Sequence, residues 1–262
     1  MNFEQNSKKV KTCAIIPCYG KGLRLQDLAD DLIGKVSMAI IVDDGSSIPV
    51  KPPKSTLPIR LIRLQKNQGV GGAIISGYRQ AHSMGAKWAV VLAGDGQMDP
   101  ADIPAVLKPV ISGQAEYCKG ERFTHQNADT IPRTRLWGNY ALTHLTRAIS
   151  GYGHLLDSQC GFTAINLDAL FNRLPVKLLY PRYGFPNDLL ILASATDFRM
   201  AQVPVRPIYD GQPSGLNPII AMLTYPVILT RAFLLKLGIR IRDMFLWRKI
   251  AHPDDNQLLP YW

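Results

Sequence analysis

Three short apolar runs that do not alternate with polar residues constrain the fold of this chain more than any other feature. They lie at residues 13–17, 38–42 and 88–92. A strand without alternation is typical of a parallel sheet whose two faces are both covered by helices. Stretches of helical character separate the runs, at residues 23–33 and 73–84. This order predicts an α/β fold with an open, mostly parallel, twisted sheet flanked by helices.

The rest of the chain is less regular. Residues 59–64 alternate with arginine, which predicts a strand at the sheet edge. A polar loop at 121–131 leads into a predicted amphipathic helix at 133–149, and 161–165 is a further predicted strand. We expect one main domain, residues 1–215, followed by a C-terminal segment, residues 216–262.

The C-terminal segment is strongly apolar from residue 217 to 237, but Pro218, Pro226 and Arg231 interrupt it. A bilayer crossing needs about 20 uninterrupted apolar residues, so we expect amphipathic helices that lie in the membrane interface rather than a transmembrane span. The formal net charge of +10 fits an anionic membrane surface, phosphorylated substrates or nucleic acid. Nucleic acid is disfavoured because no aromatic-basic RNA motif occurs.

Four cysteines show neither paired metal-ligand spacing nor a disulfide-dense pattern, and no signal peptide opens the chain. A reducing cytoplasm is the simplest location for such a protein.

Two acidic turns follow predicted strands and should meet at the carboxyl edge of the sheet, where α/β proteins bind ligands. In the first, Asp43 or Asp44 can accept hydrogen bonds from the base or ribose of a nucleotide, although an acid-glycine pair also makes a simple turn. In the second, Asp95 and the carbonyl of Gln97 can offer oxygen ligands to Mg²⁺ or Mn²⁺ beside a diphosphate. Asp99 precedes a proline and is expected to cap a helix.

A glycine-rich turn at residues 67–73 leads into a predicted helix, and Gly71 is its central glycine. Such glycines allow close approach of a phosphate to the backbone, but they also serve tight helix packing. The spacing matches neither the Walker loop nor the dinucleotide-binding pattern.

Charged residues in the second half are candidates for phosphate binding and for acid-base chemistry. Arg122, Arg133 and Arg135 suit a bidentate grip on phosphate, with a solvated basic face as the alternative. Asp188 lies in an apolar stretch, where it is either a general base toward an acceptor hydroxyl or a helix N-cap.

In order along the chain, these segments resemble the family 2 glycosyltransferases, and in particular the branch with dolichyl-phosphate mannose synthases and bacterial polyprenyl-phosphate glycosyltransferases. The resemblance is carried by Ile16-Pro17-Cys18-Tyr19, Val42 to Ser46, Asn67 to Ala73, Asp95 to Pro100 and Asp157 to Phe162.

The resemblance implies a GT-A fold, a nucleoside-diphosphate sugar donor, a divalent cation and inversion at the anomeric carbon. It implies that Pro17, Tyr19 and Asp44 surround the nucleoside and that Asp43 contacts its base or ribose. Asp95 and Gln97 would hold metal and diphosphate.

The resemblance also implies that Arg122, with Arg133 or Arg135, holds acceptor and donor phosphates. Two departures stand out. Ala93 replaces an acidic residue that would provide a second metal carboxylate, and Gly20-Lys21 replaces Asn-Glu.

These features predict a peripheral enzyme on the cytoplasmic face of a membrane, which transfers sugar to a lipid acceptor such as polyprenyl phosphate. A phosphate acceptor is already anionic and needs no strong base, whereas a hydroxyl acceptor does. The alternatives are transfer to a glycan or lipid hydroxyl and a catalytically silent nucleotide-sugar-binding protein. The sequence leaves a homo-oligomer open.

Overall fold

The computed structural model describes residues 12–20, 24–209 and 218–251, with side chains throughout except at 133–135, 218–222 and 246–251. The described residues include seven strands of one sheet. These are β1 (Thr12–Cys18), β2 (Met38–Asp43), β3 (Ile59–Arg63), β4 (Trp88–Val91), β5 (Tyr117–Glu121), β6 (Thr163–Asn166) and β7 (Met200–Pro204).

The strand order is β3-β2-β1-β4-β6-β5-β7. The pairs β3–β2, β2–β1, β1–β4 and β5–β7 are parallel, whereas β6 is antiparallel to both β4 and β5. The mostly parallel α/β sheet is therefore confirmed, and β3 lies at the predicted edge. Because β1, β2 and β4 are parallel neighbours, the turns after their carboxyl ends lie side by side.

Seven α-helices occur in the described residues, together with three short 3₁₀ helices. They are α1 (Leu25–Asp31), α2 (Val70–Ser83), α3 (Ile103–Ile111), α4 (Arg133–Ser150), α5 (Leu167–Arg173), α6 (Phe185–Ala195) and α7 (Pro218–Ala251).

Two apolar layers cover the two faces of the sheet. Ile15 of β1 packs in the layer that includes residues of α2, α5, α6 and α7, while the next residue, Ile16, packs in the layer with α1 and α3. Successive strand residues face opposite sides. All six residues of β2 are buried for this reason, which explains why the central runs show no polar alternation.

The C-terminal helix differs from the prediction in one respect. It is a single helix of 34 residues that continues through Pro226, whereas the sequence predicted more than one helix in this segment. The helix packs against α6 and α4, and this contact stabilises it beyond its local propensity. No helix in the described ranges is long and apolar enough to cross a membrane. The predicted domain boundary at 215 falls outside the described residues, so the division remains a prediction.

Candidate functional site

Asp43 ends β2, and the loop that follows binds its carboxylate. Oδ1 accepts a hydrogen bond from the Ser46 N–H at 2.9 Å, and Oδ2 accepts from the Val50 N–H and from Arg63 Nη1, each at 3.2 Å. Burial alone would raise the pKa of Asp43, but these hydrogen bonds and the Arg63 charge outweigh it and hold the pKa below its usual value. Asp43 therefore shapes the loop as a carboxylate; a contact with base or ribose stays a prediction.

Asp44 joins this loop to the glycine-rich turn. Its two oxygens accept hydrogen bonds from the N–H groups of Gln68 and Gly69 at 2.7 and 2.8 Å. Burial raises the pKa of Asp44 in spite of these bonds. Gly45, which directly follows Asp44, has a φ of +72°, and a β-carbon there would lie 2.8 Å from the backbone nitrogen of Asn67. Only glycine allows this close approach.

The glycines at the start of α2 serve packing. A β-carbon at Gly71 would lie 2.7 Å from Cβ of Phe185, and the Gly72 N–H donates to the carbonyl of Pro181 at 2.9 Å. The helix start is thus pressed against the segment that leads into α6. Of the two readings of Gly71, the geometry supports close packing, because the Phe185 side chain covers its α-carbon.

Asp95 lies in the turn that follows β4. Its Oδ1 accepts a hydrogen bond from the Gln97 N–H at 3.0 Å, and Gly96 between them has φ of +80°. Asp99 caps the 3₁₀ helix that begins at Pro100 by accepting from the Ala101 N–H at 2.9 Å, as the sequence predicted. Asp95 and Gln97 are therefore held together at the carboxyl edge of the sheet.

The donor set of this turn suits a hard divalent cation, which prefers oxygen ligands. Asp95 and Gln97 would supply two. In the described part of the chain, no three His, Cys, Asp or Glu side chains form a group that could hold a metal ion. At position 93 the backbone N–H donates to the sulfur of Met98 at 3.3 Å, and no carboxylate is available. A diphosphate would have to complete the coordination.

A cavity of about 240 Å³ opens beside this turn. Pro17 at the end of β1 lines it, as do Ala93, Met98 and the aromatic rings of Tyr183 and Tyr225. Its wall is therefore formed by two strand ends, the start of α6 and the C-terminal helix. Of the other residues predicted around the nucleoside, Tyr19 follows β1 directly and is exposed.

Arg122 follows β5 and forms a two-pronged ion pair with Asp157. Its Nε and Nη2 donate to the two carboxylate oxygens at 2.7 and 3.1 Å, and Nη1 donates to the hydroxyl of Tyr209 at 3.1 Å. Asp157 is fully buried; burial would raise its pKa, but the charge of Arg122 lowers it. In this arrangement Arg122 holds the loop of residues 157–161, part of which lines the cavity.

Lys119 is a residue that the sequence reasoning missed. It is fully buried on β5, its Nζ donates to the carbonyl of Cys160, and burial lowers its pKa. A lysine inside a buried strand was the available signal, since such a charge requires a partner. Lys119 on β5 and Arg122 directly after β5 thus bind the same loop.

The helix α4 begins at Arg133, which places Arg133 and Arg135 on its first turn. Their side chains lie outside the described residues, so their roles in phosphate binding remain predictions.

Asp188 lies in the first turn of α6, where the N-cap is Gly184. The predicted N-cap role is therefore wrong. Its Oδ2 accepts from the Tyr180 N–H at 2.8 Å and its Oδ1 from Nη1 of Arg231 at 2.9 Å. The side chain is fully buried, and burial raises its pKa against the opposing effect of these partners. Because both oxygens are occupied, the geometry favours an anchor for α7 over a general base.

A buried polar chain links the cavity to the same helix. Tyr225 of α7 donates from its hydroxyl to Oε1 of Gln159 at 3.1 Å, and Gln159 Nε2 donates to Oδ1 of Asn187 at 3.0 Å. Asn187 in turn donates to Thr146 of α4 at 2.6 Å. These contacts fix the position of α7 relative to the cavity wall.

Comparison with known proteins gives consistent matches. The sequence model described as Glycosyl transferase family 2 matches residues 13–172. The UDP-N-acetylglucosamine–dolichyl-phosphate N-acetylglucosaminyltransferase of Methanococcus voltae is 30% identical over 245 residues, which cover 86% of this chain and 95% of that protein. The dolichyl-phosphate beta-glucosyltransferase of Saccharomyces cerevisiae is 24% identical over 239 residues, or 78% of this chain and 69% of that protein.

Among solved structures, glucosyl-3-phosphoglycerate synthase from Mycobacterium tuberculosis in complex with UDP superposes with a TM-score of 0.59 at 19% identity. The match covers 87% of this chain and 82% of the synthase. The same synthase in complex with Mn²⁺, UDP and phosphoglyceric acid gives a TM-score of 0.58 at 18% identity. At this identity the likeness establishes a shared GT-A fold.

Proposed function

Because the chain belongs to glycosyltransferase family 2, we propose that this enzyme transfers a sugar from a UDP-sugar to a polyprenyl or dolichyl phosphate at a membrane surface. The names of the relatives from M. voltae and S. cerevisiae support a lipid phosphate acceptor, and the synthase with bound UDP supports a uridine nucleotide. We further propose inversion at the anomeric carbon.

The observation that carries this proposal is the meeting of two features at one cavity. Ala93 and Met98, which flank the turn with Asp95 and Gln97, line this cavity, and Tyr225 of the C-terminal helix forms part of its wall. A donor diphosphate at the turn and an acceptor arriving along α7 would therefore reach the same space. Convergence of polar groups on one largely apolar cavity is the usual form of a substrate site.

The exposed face of α7 supports a membrane-bound acceptor. Large apolar side chains stand in solvent along the helix, with Leu223 70% and Val227 68% exposed. On the neighbouring α4, Trp137 is 76% exposed. Exposed apolar residues, with tryptophan among them and arginines nearby, are typical of helices that lie in a membrane interface. We place the enzyme on the cytoplasmic face, where its four unpaired thiols stay reduced.

The chemistry follows from the charge of the acceptor. An anionic phosphate oxygen attacks C1 of the sugar from the face opposite the nucleotide, the bond from C1 to the diphosphate oxygen breaks, and UDP leaves with the electron pair. No base is needed, which agrees with an Asp188 whose oxygens are both engaged. A divalent cation held by Asp95, Gln97 and the diphosphate would supply positive charge against the charge of the leaving group.

The arginines have separate roles in this proposal. Arg122, through its pair with Asp157, positions the loop along the cavity. Arg133 or Arg135, on the first turn of α4, would bind the acceptor phosphate, because a guanidinium matches phosphate geometry.

The test measures transfer of radiolabelled sugar from UDP-glucose or UDP-N-acetylglucosamine into the organic-extractable fraction, with polyprenyl or dolichyl phosphate as acceptor. We expect label in that fraction with Mn²⁺, loss of it with chelator, and a loss of about 100-fold or more in Asp95→Asn. The matched control is Asp99→Asn, four residues further along the chain, which keeps a capping side chain and should retain activity.

Two outcomes would contradict the proposal. Label that enters only glycans or lipids with a free hydroxyl would mean another acceptor class. A donor that binds but is transferred to no acceptor would indicate a silent binding protein.

A further inference from the structure

Arg24 lies against the Asp95 turn, although it belongs to the segment between β1 and α1. Its backbone N–H donates to the carbonyl of Gly94 at 2.8 Å, which ties the residue before α1 to the turn. A β-carbon built on Gly96 would lie 3.3 Å from Cδ of Arg24 and 3.7 Å from its Nη1. The guanidinium end is therefore next to the residue that separates Asp95 from Gln97.

The charge balance of this turn makes the position significant. Because position 93 is alanine, Asp95 is the carboxylate that this turn offers, and the turn carries less negative charge than it would with an acidic residue at position 93. A diphosphate carries at least two negative charges and needs cationic or N–H partners. A guanidinium meets this need with several N–H donors in a fixed fork.

We propose that Arg24 binds the diphosphate of the nucleotide donor beside the Asp95 turn. The inference rests on the proposed function, since it requires a nucleoside diphosphate at this turn. It adds a second cationic partner for the diphosphate that does not depend on a metal ion. Part of the affinity for the diphosphate therefore persists when divalent cations are removed.

The experiment measures binding of UDP, UMP and uridine to the purified full chain by isothermal titration calorimetry, with Mn²⁺ and with chelator. The variants are Arg24→Gln, Arg24→Lys and the control Arg79→Gln, an exposed arginine on α2. Loss of a charge-assisted contact predicts that Arg24→Gln weakens UDP binding about tenfold in both conditions. Uridine binding should not change, and Arg24→Lys should recover part of the loss.

The outcomes separate the inference from the proposed function. Wild-type affinity for UDP in Arg24→Gln would overturn the role of Arg24 and leave the donor site standing. An equal loss for UDP and uridine would also overturn it, because a disturbed loop would then explain the effect. If the wild-type chain binds neither these ligands nor any guanosine nucleotide, the proposed function fails, and the inference fails with it. If the chain binds GDP instead of UDP, the same variants are compared with GDP, GMP and guanosine.

Discussion

Removal of the Arg231 charge tests whether Asp188 anchors the C-terminal helix. Asp188 is fully buried and has two partners, the Tyr180 N–H and Arg231. In Arg231→Met the Asp188 carboxylate keeps only the hydrogen bond from the Tyr180 N–H. Breaking a buried ion pair on one side costs about 3–5 kcal/mol. Because the Arg231 side chain is 37% exposed, water screens the pair, and we expect a loss of about 2 kcal/mol in the free energy of unfolding.

Asp188→Asn should be milder than Arg231→Met. Its amide oxygen can still accept from the Tyr180 N–H, and no charge is left buried, so we expect a loss of about 1 kcal/mol. The double variant should cost less than the sum of the two single variants, because the second change removes the charge that the first left unpaired.

The assay is urea unfolding followed by far-UV circular dichroism, with Arg242→Met as control. Arg242 also lies on α7, but it is 64% exposed and pairs with its neighbour Asp243, so its loss should cost less than about 0.5 kcal/mol. If Arg231→Met were no less stable than this control, the anchoring role would be refuted.

The same variants distinguish an anchor from a base. Asp188→Asn should keep transfer to a polyprenyl phosphate within a few-fold of wild type, because the acceptor is already anionic. A rate lower by about 10²–10⁴-fold with little loss of stability would instead indicate general-base catalysis.

Two further predictions concern α7 and the core. The double variant Val227→Glu/Leu234→Glu should no longer float with vesicles that contain an anionic phospholipid. The control Ile48→Glu, at an equally exposed apolar site on the β2–β3 loop, should float as wild type does. If the double variant floated as well as this control, membrane docking through α7 would be contradicted. Gly77→Ala should lower the free energy of unfolding by about 1–3 kcal/mol, because its β-carbon would lie 2.4 Å from Cγ2 of Ile15. A β-carbon at Gly138 would have no atom within 4 Å, so Gly138→Ala should stabilise α4 by about 0.5–1 kcal/mol in the same urea assay. Equal effects of Gly77→Ala and Gly138→Ala on the free energy of unfolding would refute the packing argument.

The central strands could be predicted because burial on both faces leaves a signal in the local sequence. β1, β2 and β4 are apolar runs for that reason, and the acidic turns after them follow from the topology. β5 escaped prediction because Lys119 and Glu121 lie within it. Both are buried, and the partner of Lys119, the carbonyl of Cys160, is 41 residues away. A contact at that distance leaves no mark on a local pattern.

At the site, sequence predicted where residues lie better than what they touch. Asp44 and Asp95 are in turns at the expected sheet edge, but no local pattern indicates that Asp44 binds the N–H groups of residues 68 and 69. For Arg122 and Asp188, the local surroundings fitted both a ligand contact and a structural one. Their partners, Asp157 and Arg231, are set by packing between distant elements.

The contacts of α7 connect the surface that we propose for membrane binding to the wall of the cavity. Tyr225 forms part of the cavity wall and binds Gln159, and six residues later Arg231 binds Asp188 beneath the start of α6. A single helix thus carries an exposed apolar face on one side and cavity contacts on the other. Since a packed helix moves as a unit, a shift of α7 on a membrane would displace the Tyr225 wall as well. Loss of the Arg231 anchor should therefore affect transfer to a lipid acceptor more than binding of UDP, for which we propose the turn at Asp95.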